Sequence, residues 1–233
     1  MTISFVSAGT QASGSGATIT PGLPANIQSG DLLVALVINS SAGEHTVSAN
    51  TYADWPIKVS FFIDYANSAL FFHWYDGSDP DRKFNSDVSG GAFVGGIAAF
   101  RGVNYSTTYS DFFRGGASHR SDGTDASIEF ASLALTAGDM ELLAAGAYDD
   151  NDVSDLANYS FAFGPGAGNS YKTTTGAPDA MVTLAYRLIA ATTDYAPTLT
   201  QSASDPWYAS HVALIPSTTV ATTHPLLALG VGN

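Results

Sequence analysis

Two pairs of neighbours, Ser118-His119 and Ser210-His211, set a hydroxyl beside an imidazole and invite comparison with a hydrolase nucleophile and base. A serine hydrolase carries its Ser in a strained G-x-S-x-G elbow, with a His and an acid in reach. That pentapeptide is absent, and neighbours along a strand point to opposite faces, so neither pair reads as catalytic. The five histidines, His45, His73, His119, His211 and His224, stand singly, without H-x-H or H-E-x-x-H spacing. They read as surface or half-buried structural imidazoles. The run Asp149-Asp150-Asn151-Asp152-Val153-Ser154-Asp155 gathers oxygen ligands of the kind calcium takes, making Asp149, Asp150, Asp152 and Asp155 candidate metal residues. It lacks the turn glycine and closing glutamate of an EF-hand loop, and Asp and Asn also build turns between strands. Asp76, Asp79 and Asp81 make a similar, sparser group. No other cofactor is expected.

Glycoside hydrolysis would need two facing carboxylates, and only Glu129 and Glu141 lie near predicted strands. Glu141, inside Met140-Glu141-Leu142-Leu143, is expected to face solvent by strand alternation. No catalytic residue is assigned, and the chain is expected not to be an enzyme. Aromatic loop residues offer other chemistry, stacking on sugar rings or anchoring a protein partner. Trp55, followed by Pro56, is the foremost exposed candidate, joined by Tyr105, Tyr109, Phe112 and Phe113; Trp74 and Trp207 fall in predicted strands and read as core.

The elements that must position these groups are strands. Short β-branched or aromatic runs fenced by Gly, Ser, Pro and Asn are predicted as strands over 3–8, 17–20, 32–38, 57–64, 69–75, 83–88 and 92–100, then over 127–130, 141–148, 159–163, 181–189, 197–201 and 207–215. No capping box opens a 3.6-spaced apolar run, so the expected fold is all-β, a two-sheet antiparallel sandwich of jelly-roll type. Leu32 to Ile38 and Phe93 to Phe100 are nearly continuously apolar, which implies central strands covered on both faces by loops or by another subunit.

The chain also echoes itself. Asp31-Leu32-Leu33 returns as Asp139-Met140-Glu141 at an offset of 108 residues; Leu70 aligns with Leu184 at 114, and Ile97 with Val212 at 115. Two tandem similar halves follow: 1–103, a crossover at 104–126, and 127–216, with a tail at 217–233. The 26-residue stretch 101–126 exceeds an ordinary connection, so a crossover with a role or an interface loop is expected. In the tail, Leu226, Leu227 and Leu229 follow a Ser/Thr-rich leash and are expected to dock on another subunit.

Composition narrows the partners. A net charge of −13 argues against nucleic acid and against anionic membranes. The absence of Cys removes disulfides, thiolate metal sites and a Cys nucleophile, and suits folding in a reducing cytosol. No basic n-region with an apolar run opens the sequence, and no apolar stretch approaches the roughly 20 residues of a spanning helix.

Four segments together, Ser29 to Ala35, Ala98 to Val103, Ala137 to Ala145 and Trp207 to Pro216, resemble the duplicated β-sandwich structural proteins of tailed bacteriophages. The resemblance implies a virion-surface position, as a capsid decoration protein, head spike or tail-fibre-associated domain made in the cytoplasm of a bacterial host. It implies as partners further copies of the chain, in a homotrimer or other symmetric oligomer, and the major capsid protein or other virion proteins. A carbohydrate-binding module for host attachment is the alternative.

Overall fold

A computed structural model describes residues 1–41, 46–63, 66–88, 91–148, 151–163, 170–172 and 179–218. Nine strands fill the first part of the chain: β1 Ser4–Ala8, β2 Ala12–Gly14, β3 Thr18–Ile19, β4 Leu32–Ser40, β5 Val47–Ala49, β6 Ile57–Ile63, β7 Ala66–Trp74, β8 Phe84–Ser86 and β9 Ala92–Arg101. A single helical turn, α1 Tyr109–Phe112, leads into β10 Phe113–Gly123, β11 Ser127–Glu129, β12 Leu133–Leu135, β13 Met140–Ala147 and β14 Ser160–Phe161. The last strands are β15 Tyr171–Lys172, β16 Met181–Leu188, β17 Thr193–Tyr195, β18 Thr198–Thr200 and β19 Trp207–Leu214. The fold is all-β and antiparallel, as the strand pattern predicts.

The two large sheets run β1-β9-β4-β7-β6 and β10-β19-β13-β16-β14, so each lays its opening strand beside its closing one. They pack face to face. Leu32, Val34, Leu36 and Ile38 of β4 share one apolar cluster with Leu142 and Ala144 of β13, Val182 and Leu184 of β16, and Val212 and Leu214 of β19. At about 1.5–3 kcal/mol for each large apolar side chain fully buried, this shared layer is the main source of cohesion between the sheets.

The opposite face of β4 is closed by the chain itself. Leu33, Ala35 and Val37 pack with Val47, Trp55, Phe71 and Phe84 under the small sheet β3-β8-β5. In the second sheet Leu143, Ala145 and Ala147 are covered by Ile128, Phe130, Val153 and Leu199. Double-sided burial explains the continuous apolar runs, and the cover here needs no second subunit. Gly96 has a comparable cause: a Cβ there would lie 2.7 Å from the Phe163 ring, which comes from the other half of the chain. Gly96→Ala is expected to displace that ring and cost about 1–3 kcal/mol, read as a lower urea midpoint with unchanged slope.

The repeated Gly-Asp pairs are turns that launch the two central strands. Gly30 and Gly138 adopt φ of 94° and 97°, a conformation that favours glycine. In each turn the Asp N–H donates to a carbonyl three residues back, Gln28 or Thr136, at 3.0 Å. Each Asp carboxylate in turn accepts from the N–H of that residue, at 2.9 Å in Gln28 and 2.8 Å in Thr136. Both buried carboxylates are paired, Asp31 with Arg101 at 2.8 Å and Asp139 with Arg114.

Two expectations are corrected. The stretch read as a crossover contains β10, an edge strand paired with β19 along its length apart from a bulge between Gly115 and Arg120. Its Gly and charged residues hid it, because an edge strand holds on through backbone bonds and tolerates a polar outer side. The offset in the closing strands is 114, since Leu32 pairs with Phe100 as Met140 pairs with Leu214. His211 therefore takes the place of Ile97, and the one-residue change turns it to the opposite face.

Candidate functional site

At that place the second sheet carries a buried ionic cluster where the first sheet is apolar. Glu141 pairs across strands with Arg187 and Ala213, as Leu33 pairs with His73 and Ala99. The three positions Leu33, His73 and Ile97 are thus answered by Glu141, Arg187 and His211. Glu141 and His211 are both fully buried, which corrects the expectation that Glu141 faces solvent. Alternation does turn it outward from the sheet, but the segment bearing Tyr159 and the chain at Ala131 lie over it.

Every oxygen of Glu141 is used. Oε1 meets His211 Nε2 at 2.7 Å, while Oε2 accepts from Tyr159 Oη at 2.7 Å and from Arg187 Nε. Burial alone would raise this carboxyl; the hydrogen bonds from His211, Tyr159 and Arg187 outweigh it and hold the group below the usual glutamate range. Burial and the neighbouring carboxylate push Tyr159 far up, so its hydroxyl stays a donor. His211 Nδ1 faces the Ala131 carbonyl at 2.8 Å. A carbonyl only accepts, so Nδ1 is the donor in that contact, and Nε2 lies within hydrogen-bond distance of Glu141 Oε1. Nearby His119 is held below its ordinary value by burial and by the charge at His211.

Arg187 closes the cluster. Its Cζ lies 4.5 Å from the Tyr159 ring centroid and 4.4 Å from that of Tyr195 on β17. Neither Arg187, Tyr159 nor Tyr195 stood out in the sequence. The available signal was Glu141 itself, a charge at the second position of a strand otherwise apolar from Met140 to Ala147.

The aromatic candidates divide. Trp55 is fully buried, donates from Nε1 to the Asp81 carbonyl at 2.7 Å and packs on Phe84 and His73, so it is a core residue and no exposed sugar platform. Phe112 and Phe113 are buried against Phe72, which removes them from the surface as well. Tyr105 and Tyr109 remain exposed, at 67% and 61%. Tyr105 lies 5.1 Å from the half-buried Trp74, whose Nε1 donates to the Ser106 carbonyl at 2.8 Å; Tyr109 lies 5.7 Å from Phe113.

Of the acidic run, Asp152 pairs with Lys172 at 2.9 Å, and Asp155 is exposed. Asp149, Asp150 and the tail residues Leu226, Leu227 and Leu229 lie outside the described residues. Asp81 builds its own turn, accepting from Asn50 at 2.6 Å and Thr51 at 2.9 Å. Among the described residues no three His, Asp or Glu side chains are grouped to hold a metal ion.

The fold and the two sites define an all-β, two-sheet protein with a closed ionic cluster and an exposed aromatic face. No family model, curated protein or solved structure matches the chain.

Proposed function

We propose that this chain is a non-enzymatic structural protein of a virion surface, a capsid decoration or spike protein acting as a symmetric homo-oligomer. The observation that carries the structural role is the Tyr105–Tyr109 face. Two exposed tyrosines rest on a rigid backing of Trp74 and Phe113, in a chain where only 12% of residues are charged. Pre-ordered aromatics with little entropy left to lose are the usual anchors of protein interfaces. The acid–histidine–arginine cluster supports the same reading, because its acid and imidazole are saturated by their neighbours and closed to a substrate. The virion setting rests on the resemblance of the four framework segments.

Light scattering on the full chain and on Tyr105→Ala/Tyr109→Ala tests it. The expected result is a defined oligomer whose mass drops by at least one assembly step in the double variant. A wild-type monomer at tens of micromolar would overturn the homo-oligomer. A second reading, carbohydrate attachment, is favoured by the Tyr105 ring set beside Trp74; it expects saturable quenching of Trp74 fluorescence by a glycan, abolished by Tyr105→Ala.

A further inference from the structure

We propose that the outer edge of Arg187 is a binding site for a small carboxylate, independent of the assembly role above. Three observations converge on it. First, the guanidinium is already in place: Nε is bound inward to Glu141, and aromatic rings lie 4.5 and 4.4 Å from Cζ. Second, its two Nη groups have no hydrogen-bond partner among the described residues, while the side chain is 20% exposed. With Nε turned inward and the rings near Cζ, the open part is the terminal fork, which matches two oxygens of a planar anion.

Third, one carboxylate serves two partners: Glu141 faces both Arg187 and His211, so its charge is not spent on Arg187 alone. The rings near Cζ narrow the approach to the fork, which favours a flat carboxylate over tetrahedral phosphate or sulfate. Tyr159 and Tyr195, both half-buried, give the fork an apolar rim suited to the carbon skeleton of an acidic sugar or a short organic acid.

The experiment is a titration of the full-length 15N-labelled chain with sodium glucuronate, sodium acetate and sodium phosphate, against sodium chloride at matched ionic strength. Side-chain resonances of Arg187 and His211 are followed. The expected result is a saturable shift with glucuronate and acetate in the millimolar range, typical of one exposed fork. Arg187→Lys keeps the charge but loses the fork and is expected to bind at least about tenfold more weakly. Shifts that grow linearly without saturating, equal affinity in Arg187→Lys, or tighter binding of phosphate than acetate would each overturn the site. Should the variant unfold, the wild type decides alone: its melting temperature is expected to rise saturably with acetate over matched chloride, and no such rise overturns the proposal.

Discussion

Glu141→Gln is expected to lower the unfolding free energy by about 3–5 kcal/mol, the cost of breaking a buried ion pair from one side. The amide keeps the shape but leaves the fully buried His211 and the partly buried Arg187 facing a neutral partner. Glu141→Leu is expected to cost as much, although leucine occupies the corresponding position, Leu33, in the first sheet. The informative variant is the double one. Glu141→Leu/His211→Ile copies the first sheet at two positions, removes both halves of the buried pair, and is expected to lose about 2 kcal/mol less than the sum of the two single losses. Urea denaturation of the four proteins closes the cycle, and additivity would mean that the two groups do not act together.

The same cluster sets an acid limit. A carboxyl held below its usual range contributes stability above its unfolded pKa and loses it as pH falls through the folded value. The wild type is therefore expected to lose more stability than Glu141→Leu/His211→Ile between pH 5 and pH 3, roughly across the ordinary carboxylate range. Arg187, Tyr159, Tyr195, His119 and His211 are the other charged or titratable groups facing this site.

Trp55→Ala is expected to cost about 3–5 kcal/mol, while Tyr105→Ala stays within about 0.5 kcal/mol of the wild type. Both are aromatic loop residues in sequence, yet one is fully buried and the other is 67% exposed. Trp55 fills the space under the small sheet beside Phe84, and its indole N–H satisfies the Asp81 carbonyl. Its loss leaves both a cavity and an unmet acceptor. Thermal unfolding of the two variants separates them; equal melting temperatures would contradict the burial of Trp55.

These residues show where reading the chain alone succeeds. Leu32 to Ile38 and Trp207 to Ile215 could be placed because β-branched and aromatic side chains report strand geometry locally. Trp55 could not be placed, since its cover comes from Asp81 and Phe84, far along the chain. Glu141 misled for a related reason. Alternation tells which face of a sheet a residue takes, and only the covering segments decide whether that face is wet. The ionic cluster joins β13, β16 and β19 with Tyr159, a set no sequence spacing announces.

The face-to-face sheets have one further consequence. β10, which opens the second sheet, lies against β6, which ends the first, while Phe5 of β1 stacks on Tyr186 of β16 at 4.6 Å. The opposing layers meet much as two subunits do across an interface, each offering the other an apolar surface. In a true dimer of identical chains every substitution appears twice, and a charge introduced on one side is inherited by its mate. Here the two sides are separate stretches of one polypeptide, so they can specialise: Leu33 and Ile97 keep one side greasy and inert, while Glu141, His211 and Arg187 equip the other.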